Sequence, residues 1–147
     1  MADLNSSGQK IARGVARHLA RLNFMSLEEF VPHRGLRVDL IAIGPKSEIW
    51  IIECKSGRSD FMADKKWQGY LDYCDDFFWA VDIQFPTNIL PNDGGLIVAD
   101  AFDAEILRFP EGKKLNAARR KKLIHKFGRD AAMRLRSLRD PDFPYGY

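Results

Sequence analysis

Residues 36–55 read LRVDLIAIGPKSEIWIIECK, and this stretch decides the fold. Residues 36–43 and 49–55 are apolar and rich in β-branched side chains, and GPKSE lies between them. The pattern predicts a β-hairpin with a five-residue loop. Side chains alternate across a strand, so Arg37, Asp39, Ile41 and Ile43 share one face of the first strand. By the same rule Ile49, Ile51, Glu53 and Lys55 share a face of the second. Pairing Ile43 with Ile49 sets Ile41 against Ile51, Asp39 against Glu53 and Arg37 against Lys55. A slip of one residue would turn all of these side chains to the opposite face.

That register has a chemical consequence. Directly opposed residues carry Cβ atoms roughly 4.5–5.5 Å apart, and two carboxylates at that distance repel. Glu53 also stands in an otherwise apolar strand, so burial adds to the cost. A divalent cation resolves the conflict: Mg²⁺, or Mn²⁺ in its place, takes oxygen ligands from one or two carboxylates, waters and substrate phosphates. Asp39 and Glu53 are the candidate metal ligands, with the backbone carbonyl of Cys54 as a further oxygen. Lys55 would contact a scissile phosphate or orient an attacking water, and would serve as a general base only with a lowered pKa. Arg37 would support phosphate contact or offset the two carboxylates. The purely structural alternative is a set of cross-strand ion pairs of Asp39 and Glu53 with Arg37 and Lys55.

Outward from the hairpin, residues 8–22 read as a helix with Ile11, Val15, His18, Leu19 and Leu22 on one face, capped by Asn5, Ser6 or Ser7. Arg13, Arg17 and Arg21 form a row on another face. Residues 26–31 predict a short strand. Ser59 or Asp60 is expected to cap a helix running to about Asp72. Residues 76–82 and 95–99 read as further strands, 104–109 as an edge strand, and PTNILPNDGG as loop. A last helix over about 115–138 carries the stripe Ala117, Ile124, Phe127, Ala131, Leu135 and Leu138. The whole is a single mixed α/β domain of the α+β kind, with a mixed sheet and flanking helices.

The 147 residues suit one domain, and 46% hydrophobic content suits a globular core. No apolar run approaches a membrane span, and MADLNSSGQK does not read as a signal peptide. Cys54 and Cys74 form no CxxC pair and no disulfide framework, so a cytoplasmic setting is expected. Each reads as a small buried hydrophobe. His18, His33 and His125 are scattered, and no GxGxxG, Walker A or GxSxG motif occurs. The net charge of +3 conceals an asymmetry: residues 113–139 carry +10, and the rest carries −7. A basic helix on an acidic body points to a polyanionic partner. The cations singled out for it are Arg119, Arg120, Lys121 and Lys122.

Asp39, thirteen intervening residues and then Glu53-Cys54-Lys55 resemble the D…(D/E)xK motif of the PD-(D/E)xK nucleases. Val38 stands where that motif usually has proline. The longer string RVDLIAIGPKSEIWIIECKSGRSDFMADKKWQGYLDYCDDFFWAV resembles the bacterial MmcB-type DNA repair proteins, and the likeness runs from about Arg34 to Leu107. The resemblance implies a restriction-endonuclease-like core, a role in DNA repair, and Mg²⁺-dependent hydrolysis of DNA. It implies DNA as partner, with other repair proteins and a dimer as further possibilities. A polar residue on the helix after the ExK strand lines the site in related nucleases; here Gln68 is the candidate, with Lys65 as a DNA contact. The alternative for Asp64 and Lys65 is ordinary exposed helix charges, and Trp67 and Tyr70 read as packing. Many of those nucleases add an acid from the first helix, but residues 8–22 hold no Asp or Glu, which leaves Glu29 as substitute. That gap favours the alternative of a non-catalytic DNA-binding or adaptor module. An RNA-acting relative is the third reading.

Overall fold

The computed structural model describes residues 6–146. Helix α1 (Ser7–Arg21) leads into strands β1 (Met25–His33), β2 (Leu36–Ile43) and β3 (Ile49–Lys55). Two short helices follow, α2 (Arg58–Ala63) and α3 (Trp67–Tyr70). Strands β4 (Asp76–Val81), β5 (Gly95–Ala99) and β6 (Ala104–Arg108) precede the long closing helix α4 (Ala117–Arg139). The six strands form one sheet in chain order. β1–β2, β2–β3 and β5–β6 are antiparallel, and β3–β4 and β4–β5 are parallel. The mixed α+β fold expected from the sequence is the fold observed.

The hairpin register is as read, with Ile43 against Ile49 and Ile41 against Ile51. Alternation then sorts the core into two layers. Leu40, Ala42, Trp50, Ile52 and Cys54 join Ile11, Val15 and Leu19 of α1 on one face. Ile41, Ile49, Ile51, Phe77 and Trp79 join Tyr70 of α3 and Leu123 of α4 on the other. β3 is therefore covered on both sides and is buried along its whole length.

Helix α1 opens with a capping box: the Ser6 hydroxyl accepts the Gln9 N–H at 3.1 Å, and the Gln9 side chain accepts the Ser6 N–H at 3.5 Å. Asn5, an alternative cap, lies outside the described residues. Leu22 falls one residue past the helix and is exposed, so it leaves the expected stripe. Gly14 sits where α1 crosses the 100–103 turn; a Cβ there would lie 1.9 Å from the Asp100 carbonyl oxygen and 2.6 Å from that of Asp103. Backbone on both sides cannot yield cheaply. Gly14→Ala is expected to cost about 1–3 kcal/mol through overpacking, read as a lowered urea midpoint. An unchanged midpoint would show that α1 can lift off that turn freely.

Three expectations need correction. The helix over 59–72 is broken in two. Asp64 has an extended backbone (ψ 118°), and its Oδ1 accepts the N–H groups of Lys66 at 2.8 Å and Trp67 at 3.1 Å. It thus ends one helix and starts the next. The expected caps fail as well: Gly57 is the cap residue of α2, and Asp60 instead accepts the Ser56 N–H at 3.0 Å. On α4, Leu123 is the buried anchor, whereas Leu135 and Leu138 are 56% and 82% exposed. Neither leucine joins either buried cluster of the sheet. The tail folds back there, with the Tyr145 hydroxyl donating to Asp140 at 2.8 Å.

Helix α4 also grips β1 by its open side. Arg134 donates to the carbonyls of Glu28 at 2.5 Å and Glu29 at 3.2 Å and pairs with Asp130 at 3.0 Å, and Lys126 donates to the carbonyl of Val31.

Candidate active site

The β2–β3 ladder ends at Leu40 and Ile52. One step further the strands part, and side chains replace backbone partners. The Asp39 N–H donates to Glu53 Oε1 at 2.9 Å, and the Cys54 N–H donates to Asp39 Oδ2 at 2.8 Å. β3 stays paired with β4 here, Glu53 beside Trp79 and Lys55 beside Val81. The gap therefore opens only between β2 and β3, and it brings the two predicted carboxylates together. Each keeps a second oxygen with no backbone donor.

Both carboxyls are hard to ionise. Burial, then the neighbouring Asp39 carboxylate, pushes Glu53 up to about 8. Burial likewise raises Asp39, against the Cys54 N–H and Lys55, which pull it down. Glu53 and Lys55 are the only buried charged residues among those described. The Lys55 Nζ lies 2.8 Å from Asp64 and 4.0 Å from Asp60. Burial alone would lower the lysine, but the bond to Asp64 and the facing acids raise it. Asp64 is correspondingly lowered despite its own burial. Lys55 is thus held as an ammonium, which does not suit it as a general base.

Among the described residues no ion pair joins Arg37 or Lys55 to Asp39 or Glu53, so the cross-strand ion-pair reading is not what forms. Arg37 is exposed, and its carbonyl accepts the Tyr70 hydroxyl at 3.1 Å. Burial and the Glu53 charge push that hydroxyl up to about 12. Gln68 and Lys65 are exposed and make no hydrogen bond to the carboxylates or Lys55. Asp64 takes the place expected of Gln68. Its side chain is only 8% exposed, unlike an exposed helix charge, and the D-x-x-W spacing to Trp67 was the signal that it breaks the helix. Cys54 points its thiol to the α1 layer, where burial raises it, so any contribution to a metal would come from its carbonyl.

On its other side Asp39 borders a cleft of about 190 Å³ shared with Ser6, Gln9, Glu28 and Glu29. The β1–β2 register places Glu29 opposite Asp39, but Glu29 has a left-handed backbone (φ 49°). Among the described residues no three His, Cys, Asp or Glu side chains gather as a metal group. Two carboxylates with free oxygens and a nearby carbonyl still fit Mg²⁺, which tolerates one or two carboxylates beside water and phosphate.

The cations divide. Arg120 is spent inside the protein, with Nη1 and Nη2 each 2.6 Å from the Asp75 carboxylate. Its expected DNA contact is therefore a structural clasp. Arg119 lies over the Tyr73 ring at 4.7 Å, and Lys121 and Lys122 are exposed. The Arg13, Arg17 and Arg21 row lies on the opposite sheet layer from α4, where Arg21 pairs with Asp103 and Arg13 stands over Phe102.

The chain belongs to the MmcB-like family, described as DNA repair protein MmcB-like, whose model it matches over residues 2–142. Among solved structures it is similar to "SPO1766 protein of unknown function" from Silicibacter pomeroyi. That chain is 61% identical, with a TM-score of 0.91, over 93% of this chain and 94% of the other. No curated protein gives a significant match. Among the described residues no helix is long and apolar enough to cross a membrane.

Proposed function

We propose that the protein is a Mg²⁺- or Mn²⁺-dependent endonuclease of the PD-(D/E)xK kind, acting on DNA in repair. One observation carries this reading: a half-buried Asp39 meets a buried Glu53 where β2 and β3 part, and a lysine fixed as an ammonium follows Glu53 by two residues. The backbone N–H groups of Asp39 and Cys54 need acceptors there, but neutral side-chain oxygens would serve, and burial penalises charged ones. The family description supplies DNA repair as the setting.

Asp39, Glu53 and the Cys54 carbonyl would hold the ion, which when bound supplies a more acidic water and neutralises charge on the phosphate. Lys55, oriented by Asp64, places a fixed positive charge two residues along the same strand face, suited to a phosphate oxygen. The proton of the attacking water would pass to solvent or to another base, because Asp64 keeps Lys55 charged and so unable to accept it.

The test pairs Mn²⁺ titration calorimetry with cleavage of linear and branched DNA by wild type and Asp39→Asn. The wild type is expected to bind Mn²⁺ and to cut, with both lost in Asp39→Asn and in EDTA, while DNA binding persists. A wild type that binds DNA but neither Mn²⁺ nor cuts would establish the second reading, a non-catalytic DNA-binding or adaptor module. Among the described residues no third acid gathers with the pair as a metal group, and that favours this second reading.

A further inference from the structure

A cleft of about 380 Å³ lies on the α4 side of the sheet, between the β1–β2 turn, the turn after α3 and the first half of α4. His33, Arg34, Tyr73, Arg119, Lys122 and Lys126 line it, with no acid in its wall. We propose that this cleft is a phosphate-binding site that takes one phosphate group of a DNA strand. The proposal rests on the reading of DNA as the partner and adds where, and by which cations, the strand is held.

Helical spacing makes the first part of the case. Arg119, Lys122 and Lys126 fall at i, i+3 and i+7, which is one face of a helix. Arg34 faces them from the β1–β2 turn. Their local partners make the second part. The Arg119 Nη1 donates to the Asp72 carbonyl at 3.0 Å and stacks on Tyr73, itself stacked on His33 at 5.8 Å. Lys126 donates to the Val31 carbonyl and lies 5.8 Å over the Phe30 ring. Carbonyls and rings fix where these heads sit and leave their charge intact. Arg34 and Lys122 have no ion-pair partner among the described residues. Four like charges are thus gathered, two of them positioned, and none neutralised. Such an arrangement repels itself unless an anion enters.

Contrast with the rest of α4 sharpens the assignment. Arg120 and Arg134 already have carboxylate partners. Lys121 and Arg139 are exposed on roughly the opposite side of the helix from the cleft. A basic helix that merely attracts DNA would use all exposed cations alike, whereas a built site would not.

Two double variants of equal charge separate these cases: Arg34→Ala with Lys122→Ala in the cleft, and Lys121→Ala with Arg139→Ala away from it. Binding to a fluorescein-labelled duplex is measured in EDTA over a series of salt concentrations, so cleavage plays no part. Both variants should melt with the wild type, since all four side chains are exposed. For the cleft variant the slope of log K against log salt should shrink by about 0.9 for each DNA phosphate that the protein no longer neutralises. The control variant should keep the wild-type slope. Duplexes with 5′-hydroxyl and 5′-phosphate ends tell a backbone phosphate from a terminal one: an effect on both assigns the backbone, and an effect on the phosphorylated end alone assigns the terminus. Equal losses in the two variants, or none in either, would overturn the site while leaving DNA binding intact. A wild type that binds no duplex would overturn the DNA reading itself.

Discussion

Glu53→Gln is expected to abolish Mn²⁺ binding and cleavage while making the metal-free protein more stable at pH 8. The two effects have one origin. Glutamine keeps an oxygen to accept the Asp39 N–H but cannot ionise. In the wild type the folded state holds the Glu53 proton up to about pH 8, whereas the unfolded chain releases it near the ordinary value of 4.5. The stability that this proton carries is complete below about 4.5 and is lost as pH rises through about 8. At roughly 1.4 kcal/mol per pKa unit, the variant should gain on the wild type by a few kcal/mol across that window. The same linkage makes Mn²⁺ bind more tightly as pH rises toward 8 and release a proton on binding. Loss of even an outer-sphere partner at metal sites costs about 10–100-fold, so loss of a ligand should exceed that in cleavage rate. Thermal melts in EDTA at pH 6 and pH 8 are the check. A variant that melts below wild type at pH 8 would show that the carboxylate is ionised without metal and would remove the argument for a cation.

Arg120→Ala should be the most damaging loss of a cation on α4, costing about 1–3 kcal/mol, and should leave DNA affinity nearly untouched. Asp75 accepts the Ile49 N–H and the Leu115 N–H, both near 3 Å, besides both nitrogens of Arg120. The pair is 14% and 17% exposed and ties the start of α4 to the β3–β4 end of the sheet. Removing the guanidinium leaves a half-buried carboxylate without its cation. Asp75 lies below its ordinary value, against the cost of burial, because of Arg120 and those N–H groups. Its contribution is present above 3.8 and disappears as pH falls through the lowered value, so wild type and variant should converge in strong acid. Urea unfolding at pH 7 and pH 3 measures the gap. A variant of full stability with a reduced salt slope would return Arg120 to the DNA-binding surface.

The hairpin was legible because strict alternation over two strands and a short loop leaves a single register that buries the apolar face. Asp39 and Glu53 came with it, since their meeting is a matter of counting along two neighbouring strands. Asp64 was not legible in the same way. Its bond to Lys55 crosses nine residues of chain, and in the run DFMADKKWQGYLD only the D-x-x-W spacing shows that the helix breaks. Arg120 looked like its neighbours because a basic stretch reads as uniform; only the approach of Asp75, from a distant turn, sets it apart. The stripe on α4 gave the correct face but not how far along the helix packing continues, so it includes the exposed Leu135 and Leu138.

The grip of α4 on β1 bears on how the molecule lives among its own copies. An outermost strand offers a row of unpaired carbonyls that another chain can adopt as a template. Here Arg134 and Lys126 occupy the carbonyls of Glu28, Glu29 and Val31, and the left-handed turn at Glu29 disrupts the pleat that an incoming strand would have to match. The far border, β6, is only five residues long. A helix that carries much of the positive charge thus also seals the margin of the sheet against fibril-like growth.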